Sequence, residues 1–328
     1  MEKRPFARMH KSASVIGLGC WQLGADWGDV PDSTAMDILH AAADAGVTFF
    51  DTADVYGDGR SERFVAQLLR ERKDPSILVA TKVGRRARAQ VDSEYSEANL
   101  RAWVDRSLQN LGTERLDLVQ WHCPPTETFQ REGMYELFDA LVAEGKLAAY
   151  GVSVETVEQA RIAIAHPNIA SVQIIANAFR LKPFETVIPE AAALGVGIIV
   201  RVPLASGLLT AKFSVDSQFA SDDHRNYNRF GEKFDLGETF SGVPYEIGVH
   251  AARELAELAP DGVTPAQAAL RWVIDQPGVT TVIPGASSPE QARANAAVAT
   301  LAPTSHEYGA AVQRIYDRDI RVHIHDRW

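Results

Sequence analysis

Four side chains in this sequence have the types to move a proton to or from an oxygen: Asp51, Tyr56, Lys82 and His122. A tyrosine hydroxyl titrates at about pH 10, so it keeps its proton at neutral pH, and a nearby ammonium lowers that pKa toward a useful range. Lys82 can be that ammonium, and Asp51 can hold Lys82 charged and oriented. His122 can hydrogen-bond a carbonyl oxygen and fix its direction. Each residue alone has a plainer account: an aspartate as a cap or salt-bridge partner, a lysine as a solvated rim charge, a histidine as a satisfied core residue. For any one of them the plain account leads by roughly two to one. Four together at strand ends reverse that order.

The elements that would bring them together follow from the apolar pattern. Short apolar runs read as strands at residues 16–20, 46–50, 77–81, 116–121, 147–152, 171–175, 197–201 and 280–283. Between them, helical spacing with start and stop signals predicts helices at 33–45, 96–111, 132–144, 155–165, 185–194, 245–258, 264–276, 288–298 and 305–318. One more runs from a Ser61 cap to Asp74-Pro75. Residues 22–29 read as a polar loop after the first strand, and residues 214–242 form a long polar stretch, too long for a simple connection. Strands that are apolar throughout are buried on both faces, which for parallel strands means helices outside a doubly wound sheet or a closed barrel. The count of eight favours an α/β (β/α)8 TIM barrel with extra helices and a long loop after strand seven, built from residues 1–328 as one domain. No Gly-x-Gly-x-x-Gly stands between a strand and its helix, so the dinucleotide fingerprint of the open sheet is missing. In a barrel, Trp21, Asp51, Lys82, His122, Ser153 and Arg201 share one rim, with Gln173 inside strand six.

Composition narrows the partners. The net charge of −10 argues against general attraction to nucleic acid or anionic lipid, and no apolar run is long enough to span a bilayer. Residues 1–11 are basic but lack the apolar core of a secretory signal. Two cysteines, Cys20 and Cys123, are too few for a disulfide scaffold and favour a reducing compartment. A cytoplasmic address is expected.

Asp-Thr-Ala-x-x-Tyr-Gly followed by Ser-Glu (residues 51–62), Ala80-Thr81-Lys82, and Val119-Gln120-Trp121-His122 resemble, in order, the tetrad motifs of the aldo-keto reductases. The likeness runs from about residue 14 to residue 298. It implies a barrel that binds a nicotinamide cofactor without a Rossmann fold, with Tyr56 as proton donor, Lys82 and Asp51 as its tuning pair, and His122 orienting a small-molecule carbonyl substrate. The product would be an alcohol, in a reversible reaction.

The resemblance also implies cofactor contacts. Gly151-Val152-Ser153 is similar to the family's carboxamide-binding turn, although Val154 stands where Asn is usual, and Gln173 matches the second carboxamide contact. Arg201 holds the position of an aromatic that lies against the nicotinamide ring, and a guanidinium plane can stack there. Residues 203–209, with Pro203, Leu204, Ser206, Gly207 and Leu209, resemble the pyrophosphate loop. Trp21 belongs to the same rim. Residues 283–288, with Gly285 and Ser287, resemble the segment around the 2′-phosphate, and Gln291 and Asn295 fit the helix after it. Gly285, Ala286 and Gln291 replace the family's common Lys, Ser and Arg, which weakens discrimination for a 2′-phosphate. NADP(H) is the expected cofactor and NAD(H) the alternative.

Other features carry less. Cys123 reads as a packed or rim cysteine over a nucleophile by roughly ten to one, since no second base is evident. His323, His325 and Asp326 lack a third metal-ligand partner in sequence, so no metal is expected. Arg85, Arg86 and Arg88 read as a solvated loop. The aromatics Phe219, Tyr227, Phe230, Phe234 and Phe240 of the long stretch suit a partial lid, and the 321–328 segment suits either a fold over the rim or an oligomer contact. A different class of function is a cofactor-sensing regulator, as in the potassium-channel β subunits of the same family; an unrelated barrel enzyme such as an isomerase would require that no nicotinamide binds.

Overall fold

The computed structural model describes residues 1–24 and 30–328, so most of the loop read at 22–29 lies outside the described residues. Eight parallel strands form one sheet: β1 (Leu18–Gly19), β2 (Phe49–Asp51), β3 (Leu78–Val83), β4 (Leu118–His122), β5 (Tyr150–Ser153), β6 (Ile169–Ile175), β7 (Gly197–Arg201) and β8 (Thr281–Val282). Each pairs with the next in chain order. The ring closes where Ile16 bridges Val282 and Gly19 bridges Gly285. Glycine is needed at the closure, because a Cβ on Gly17 or Gly19 would stand 2.9 Å from the carbonyl oxygen of Phe49 or Ile283. The expected (β/α)8 barrel is the observed one.

Strand ends shift slightly from the sequence reading. Asp51 and His122 are the last paired residues of their strands, and Lys82 lies inside β3. The ladder continues one residue further than the apolar runs because polar side chains at its end still have paired backbones.

Local signals fix most helices. Ser96 accepts from Asn99 N to start Glu97–Leu111, and Gly112 ends it at φ 62°. Thr156 with Gln159 and Thr264 with Gln267 form capping boxes. Expected helices 132–144 and 185–194 are observed as Met134–Ala143 and Val187–Ala193, each preceded by a short helix that was not foreseen, Thr126–Gln130 and Lys182–Glu185, while 305–318 becomes His306–Ile315 followed by a π-helical turn, Tyr316–Ile320. Ser61 does not cap its helix: Gly59 does, at φ 83°, and Arg60–Arg72 follows.

Two apolar layers hold the barrel. The outer one lies between sheet and helices and includes Val79, Val119, Val152, Val172 and Val200. The inner one is small-residued, with Leu78, Ala80, Leu118, Ala149, Ala170 and Ile199 pointing to the axis. Its far end is closed by an antiparallel hairpin, Lys3–Phe6 with Lys11–Ser14, that the sequence reading did not foresee. Only Phe6 and Ala13 of the hairpin enter this core, too sparse a pattern to announce strands. Phe6 is fully buried, stacks on Phe49 with ring centroids 5.6 Å apart, and occupies the space that a Cβ on Gly197 would need. Arg4 and Arg8 then donate to the carbonyls of Val279, His166 and Ile169.

Emptying this plug should cost about 3–5 kcal/mol, the usual range for a buried phenylalanine. Urea unfolding of Phe6→Ala is expected to show that loss.

Candidate active site

Side chains on a strand alternate between faces, so every second residue of a barrel strand points inward. Leu118, Gln120 and His122 of β4 therefore climb from apolar core to polar shelf to rim, and Ala80 and Lys82 of β3 do the same. Register places Lys82 beside Gln120, His122 beside Ser153, and Ser153 beside Gln173. The polar residues thus collect at the carboxyl end of the barrel, where such folds hold their chemistry.

Lys82 is the centre of this shelf. Its ammonium donates to Asp51 Oδ1 at 2.5 Å, to Thr52 O at 2.8 Å and to Tyr56 Oη at 3.2 Å. Asp51 Oδ2 in turn accepts from Gln173 at 2.7 Å and from Gln120 at 3.3 Å. Tyr56 meets His122 edge to face, ring centroids 5.9 Å apart, and Trp21 lies 6.3 Å from Tyr56 on another side.

The motif around Tyr56 also explains its own Ser-Glu. Ser61 Oγ donates to Cys20 O at 2.9 Å and accepts from Thr52 at 2.8 Å, tying the tyrosine loop to β1 and β2. Glu62 accepts from Thr81 at 2.6 Å and from Asn110 at 2.7 Å. Gly57 has no room for a side chain, since a Cβ would sit 2.0 Å from Gly24 O.

Burial decides the proton states. It would lower the Lys82 pKa, but Asp51 and Tyr56 outweigh it and the net direction is upward, so Lys82 is an ammonium. Burial raises the Tyr56 pKa, and Lys82 offsets only part of that, which corrects the expectation of a lowered phenol. Burial, then Arg85, Lys82 and Arg201, hold His122 well below the usual imidazole range. It is neutral, and its Nδ1 is buried with no hydrogen-bond partner among the described residues.

A cluster of charges missed in the sequence reading stands beside His122. Arg201 pairs with Glu155 at 3.1 Å and Glu238 at 2.5 Å and donates to Val154 O at 3.0 Å. Arg85, expected to be solvated, pairs with Glu155 at 3.1 Å. Burial raises Glu238 against the pull of Arg201, whereas Arg201 and Arg85 overcome burial to lower Glu155. Cys123, Glu155 and Glu238 bring potential ligand atoms within 4.8 Å of one another. The Arg201 guanidinium is bound to both of these carboxylates and supplies the cationic charge there. Both cysteines are free. His325 of the tail is engaged with Tyr316 at 3.0 Å.

The rim opens into a cavity of about 580 Å³, within the range of small-molecule sites. Trp21, Asp51, Tyr56, His122, Ser153, Gln173, Arg201, Pro203, Leu204, Ser206, Gly207, Gly285, Ser287 and Gln291 line it, as the sequence suggested. Lys82, Leu209 and Asn295 stand behind that wall. Lys82 is 1% exposed, Leu209 packs in the core, and Asn295 donates to Gly285 O at 3.1 Å. The long stretch contributes Asp222, Asp223, His224, Arg225 and Glu238, so part of it does cover the cavity. Its aromatics divide: Phe234 reaches Trp21 at 5.9 Å, Phe219 and Phe240 pack against Tyr245, and Phe230 is 81% exposed.

A dinucleotide suits this cavity. Leu204 (φ −107°, ψ 15°) precedes Ala205 (φ 48°), Ser206 (φ 54°) and Gly207 (φ 95°), and such right-to-left steps are how backbone N–H groups are turned toward an anion. Val202 at φ 52° is an outlier for a β-branched residue, and such strain concentrates at functional sites. Lys212, also missed, lines the same cavity with no carboxylate partner among the described residues; its place just after the small-residue loop was the available signal. At the other end, Gln291 accepts from Ser287 N at 2.7 Å and Ser287 Oγ at 2.9 Å.

A model of the aldo/keto reductase family matches residues 15–317. The chain belongs to that family. It is 33% identical over 303 residues to an aldo-keto reductase of Bacillus subtilis, YhdN, covering 90% of this chain and 87% of that one. The glycerol dehydrogenase AKR11B4 of Gluconobacter oxydans superposes with a TM-score of 0.78 at 30% identity, covering 97% of this chain and 96% of that one. An aldo-keto reductase of Klebsiella pneumoniae solved with NADPH shares the fold, with a TM-score of 0.71 at 24% identity and coverage of 96% and 95%. No helix among the described residues is long and apolar enough to cross a membrane.

Two pH measurements test these proton states. Because the His122 pKa is lowered, its imidazole should show no titration between about pH 6 and pH 8 in nitrogen-15 spectra, near the ordinary value of about 6.5. Asp54, beneath the tyrosine loop, is pushed by burial and then by Glu62 to a pKa of about 8. A raised folded pKa favours folding below the unfolded value and loses that benefit as pH rises through the folded one. Asp54→Asn should therefore gain stability relative to the parent between pH 5 and pH 9, by chemical denaturation.

Proposed function

We propose that the protein reduces an aldehyde or ketone to an alcohol, reversibly, with Tyr56 as proton donor and NADP(H) as cofactor. The observation that carries this is the contact of one buried ammonium, Lys82, with both the Tyr56 hydroxyl and Asp51, beside a neutral His122. The cofactor assignment rests on the family, on the cavity and its left-handed loop, and on the NADPH held by the Klebsiella barrel of the same fold.

When bound, the reduced nicotinamide supplies the hydride. Ser153 and Gln173 are the carboxamide contacts of this reading, the 203–209 loop and Lys212 hold the pyrophosphate, and Gly285, Ser287, Gln291 and Asn295 frame the adenosine end. The Arg201 guanidinium has its edges on two carboxylates, so it can offer a planar face toward the cavity. Tyr56 and His122 grip the substrate carbonyl oxygen. As negative charge builds on that oxygen, Tyr56 gives up its proton, and the phenolate that remains is stabilised by the Lys82 ammonium. Charge on the phenolate appears only during reaction, so a resting Tyr56 with a raised pKa is compatible with the role. Asp51 keeps Lys82 charged throughout. Residues 1–328 act as one unit in this reading, and free cysteines accord with a cytoplasmic address.

General acid catalysis contributes about 10²–10⁴-fold. With a panel of aldehydes and ketones, Tyr56→Phe should lower kcat by that order while NADPH fluorescence titration shows retained binding. NADPH binding with no turnover of any carbonyl would instead favour a cofactor sensor.

A further inference from the structure

The turn over residues 235–242 is held in an unfavourable conformation. Phe240 (φ 55°) and Ser241 (φ 58°) are consecutive non-glycine residues in the left-handed region, followed by Gly242 at φ 77°. Such a run persists only where its surroundings over-determine it. Asn177 donates to Ser241 Oγ at 2.8 Å and Asn228 to Thr239 Oγ1 at 3.1 Å, and three further contacts link the turn to the active site. Ser206 Oγ donates to Glu238 O at 3.0 Å and accepts from Phe240 N at 3.0 Å. Glu238 pairs with Arg201. The third contact comes from Trp328.

The Trp328 side chain is inserted between this turn and the barrel. Its Nε1–H donates to Asp235 Oδ1 at 2.9 Å, and the same oxygen accepts from Gly237 N at 2.7 Å to start the turn Leu236–Glu238. Its ring lies under the Arg180 guanidinium, 4.2 Å from the centroid. It fills the space of a Cβ on Gly242, which would stand 2.3 Å away, so glycine is required opposite the indole. Arg180 donates onward to Glu155 O at 2.8 Å, and Glu155 is the second carboxylate on Arg201. The indole is thus linked to Arg201 by two routes, one through Asp235 and Glu238, the other through Arg180 and Glu155.

We propose that Trp328 is a positioning residue of the active site: by gripping Asp235 and Arg180 it holds the 235–242 turn so that Glu238 stays on Arg201, and releasing this grip opens the nucleotide groove. The turn is the buckle of the strap formed by the long loop. Arg201 and Glu238 both line the groove, so parting of their contact widens the path for the nucleotide, and how often it parts depends on how firmly Trp328 holds the turn. The part concerning nucleotide exchange rests on the proposed NADP(H) site.

The test uses full-length Trp328→Ala and Trp328→Phe. Phenylalanine keeps a ring under Arg180 and loses the N–H to Asp235. In the free protein, hydrogen–deuterium exchange of the 235–242 amides should quicken by tenfold or more in Trp328→Ala and by less in Trp328→Phe, while the barrel strands keep their protection. In stopped flow, NADPH should leave Trp328→Ala several-fold faster than the parent, and Trp328→Phe faster by a smaller factor. Unchanged exchange at 235–242 in both variants, or faster exchange spread evenly over the barrel, overturns the proposal. So does faster local exchange with no change in NADPH release. If the alanine variant does not fold, the phenylalanine variant decides by the same readouts. Failure of the parent to bind NADPH would sink the proposed function instead, while the exchange data on the free protein would still judge the grip of Trp328.

Discussion

The structure depends most on keeping one ammonium charged inside a barrel. Lys82 is almost fully buried, and an isolated charge there would be neutralised rather than tolerated. Asp51 removes that outcome by pairing with the charge at 2.5 Å, and the Thr52 carbonyl accepts a hydrogen bond from a second N–H of the ammonium. Removing either partner of such a buried pair costs on the order of 3–5 kcal/mol, because the other is left uncompensated. The pair therefore needs its neighbours as much as they need it. Gln173 and Gln120 satisfy the second oxygen of Asp51, and both reach it because they occupy the same inward level on β6 and β4.

That level exists because the layer below is narrow. Ala80, Ala149 and Ala170 take up little volume on the axis, Leu118 and Ile199 fill the space between them, and the hairpin's Phe6 packs under the base. A dry floor lowers the local dielectric, so each polar contact above it is stronger than at a surface. It also fixes where Tyr56 can be. The tyrosine loop is tied to β1 by Ser61 and rests on Gly24 through Gly57, so the phenol meets the ammonium without belonging to any strand. In the proposed reading the Gln173 amide that steadies Asp51 would also hold the carboxamide, so one side chain would serve both halves of the site.

The barrel and the tetrad were legible because each depends on local pattern. Eight apolar runs set the sheet, and Asp51, Lys82 and His122 stand at their ends whatever the helices do. The hairpin was not legible, since only Phe6 and Ala13 give it an apolar inner face and the remainder is charged, serine or proline. Nor was the Arg85, Arg201, Glu155 and Glu238 cluster, whose members come from four separate places in the chain. Arg201 stands at its strand end as read, but its carboxylate partners were not foreseen: nothing in a single sequence pairs it with residues 46 and 37 positions away. Ser61 failed for another reason. It looked like a cap because serine before a helix usually is one, but its hydroxyl had better partners in Thr52 and Cys20.

The same cluster bears on how the site can open without losing its chemistry. Arg201 sits on a strand, whereas Glu238 sits on the loop, so loop movement takes the acid away and leaves the base. Next to His122 that change is an increase in positive potential, because Arg201 is left to share Glu155 with Arg85. Positive potential disfavours imidazolium, which already lies well below its usual range through burial. The Lys82, Arg85 and Arg201 charges that help to lower His122 all lie outside the 214–242 stretch, so they favour a neutral imidazole wherever the loop stands. Neutral is the state in which a single N–H can be directed at a carbonyl oxygen.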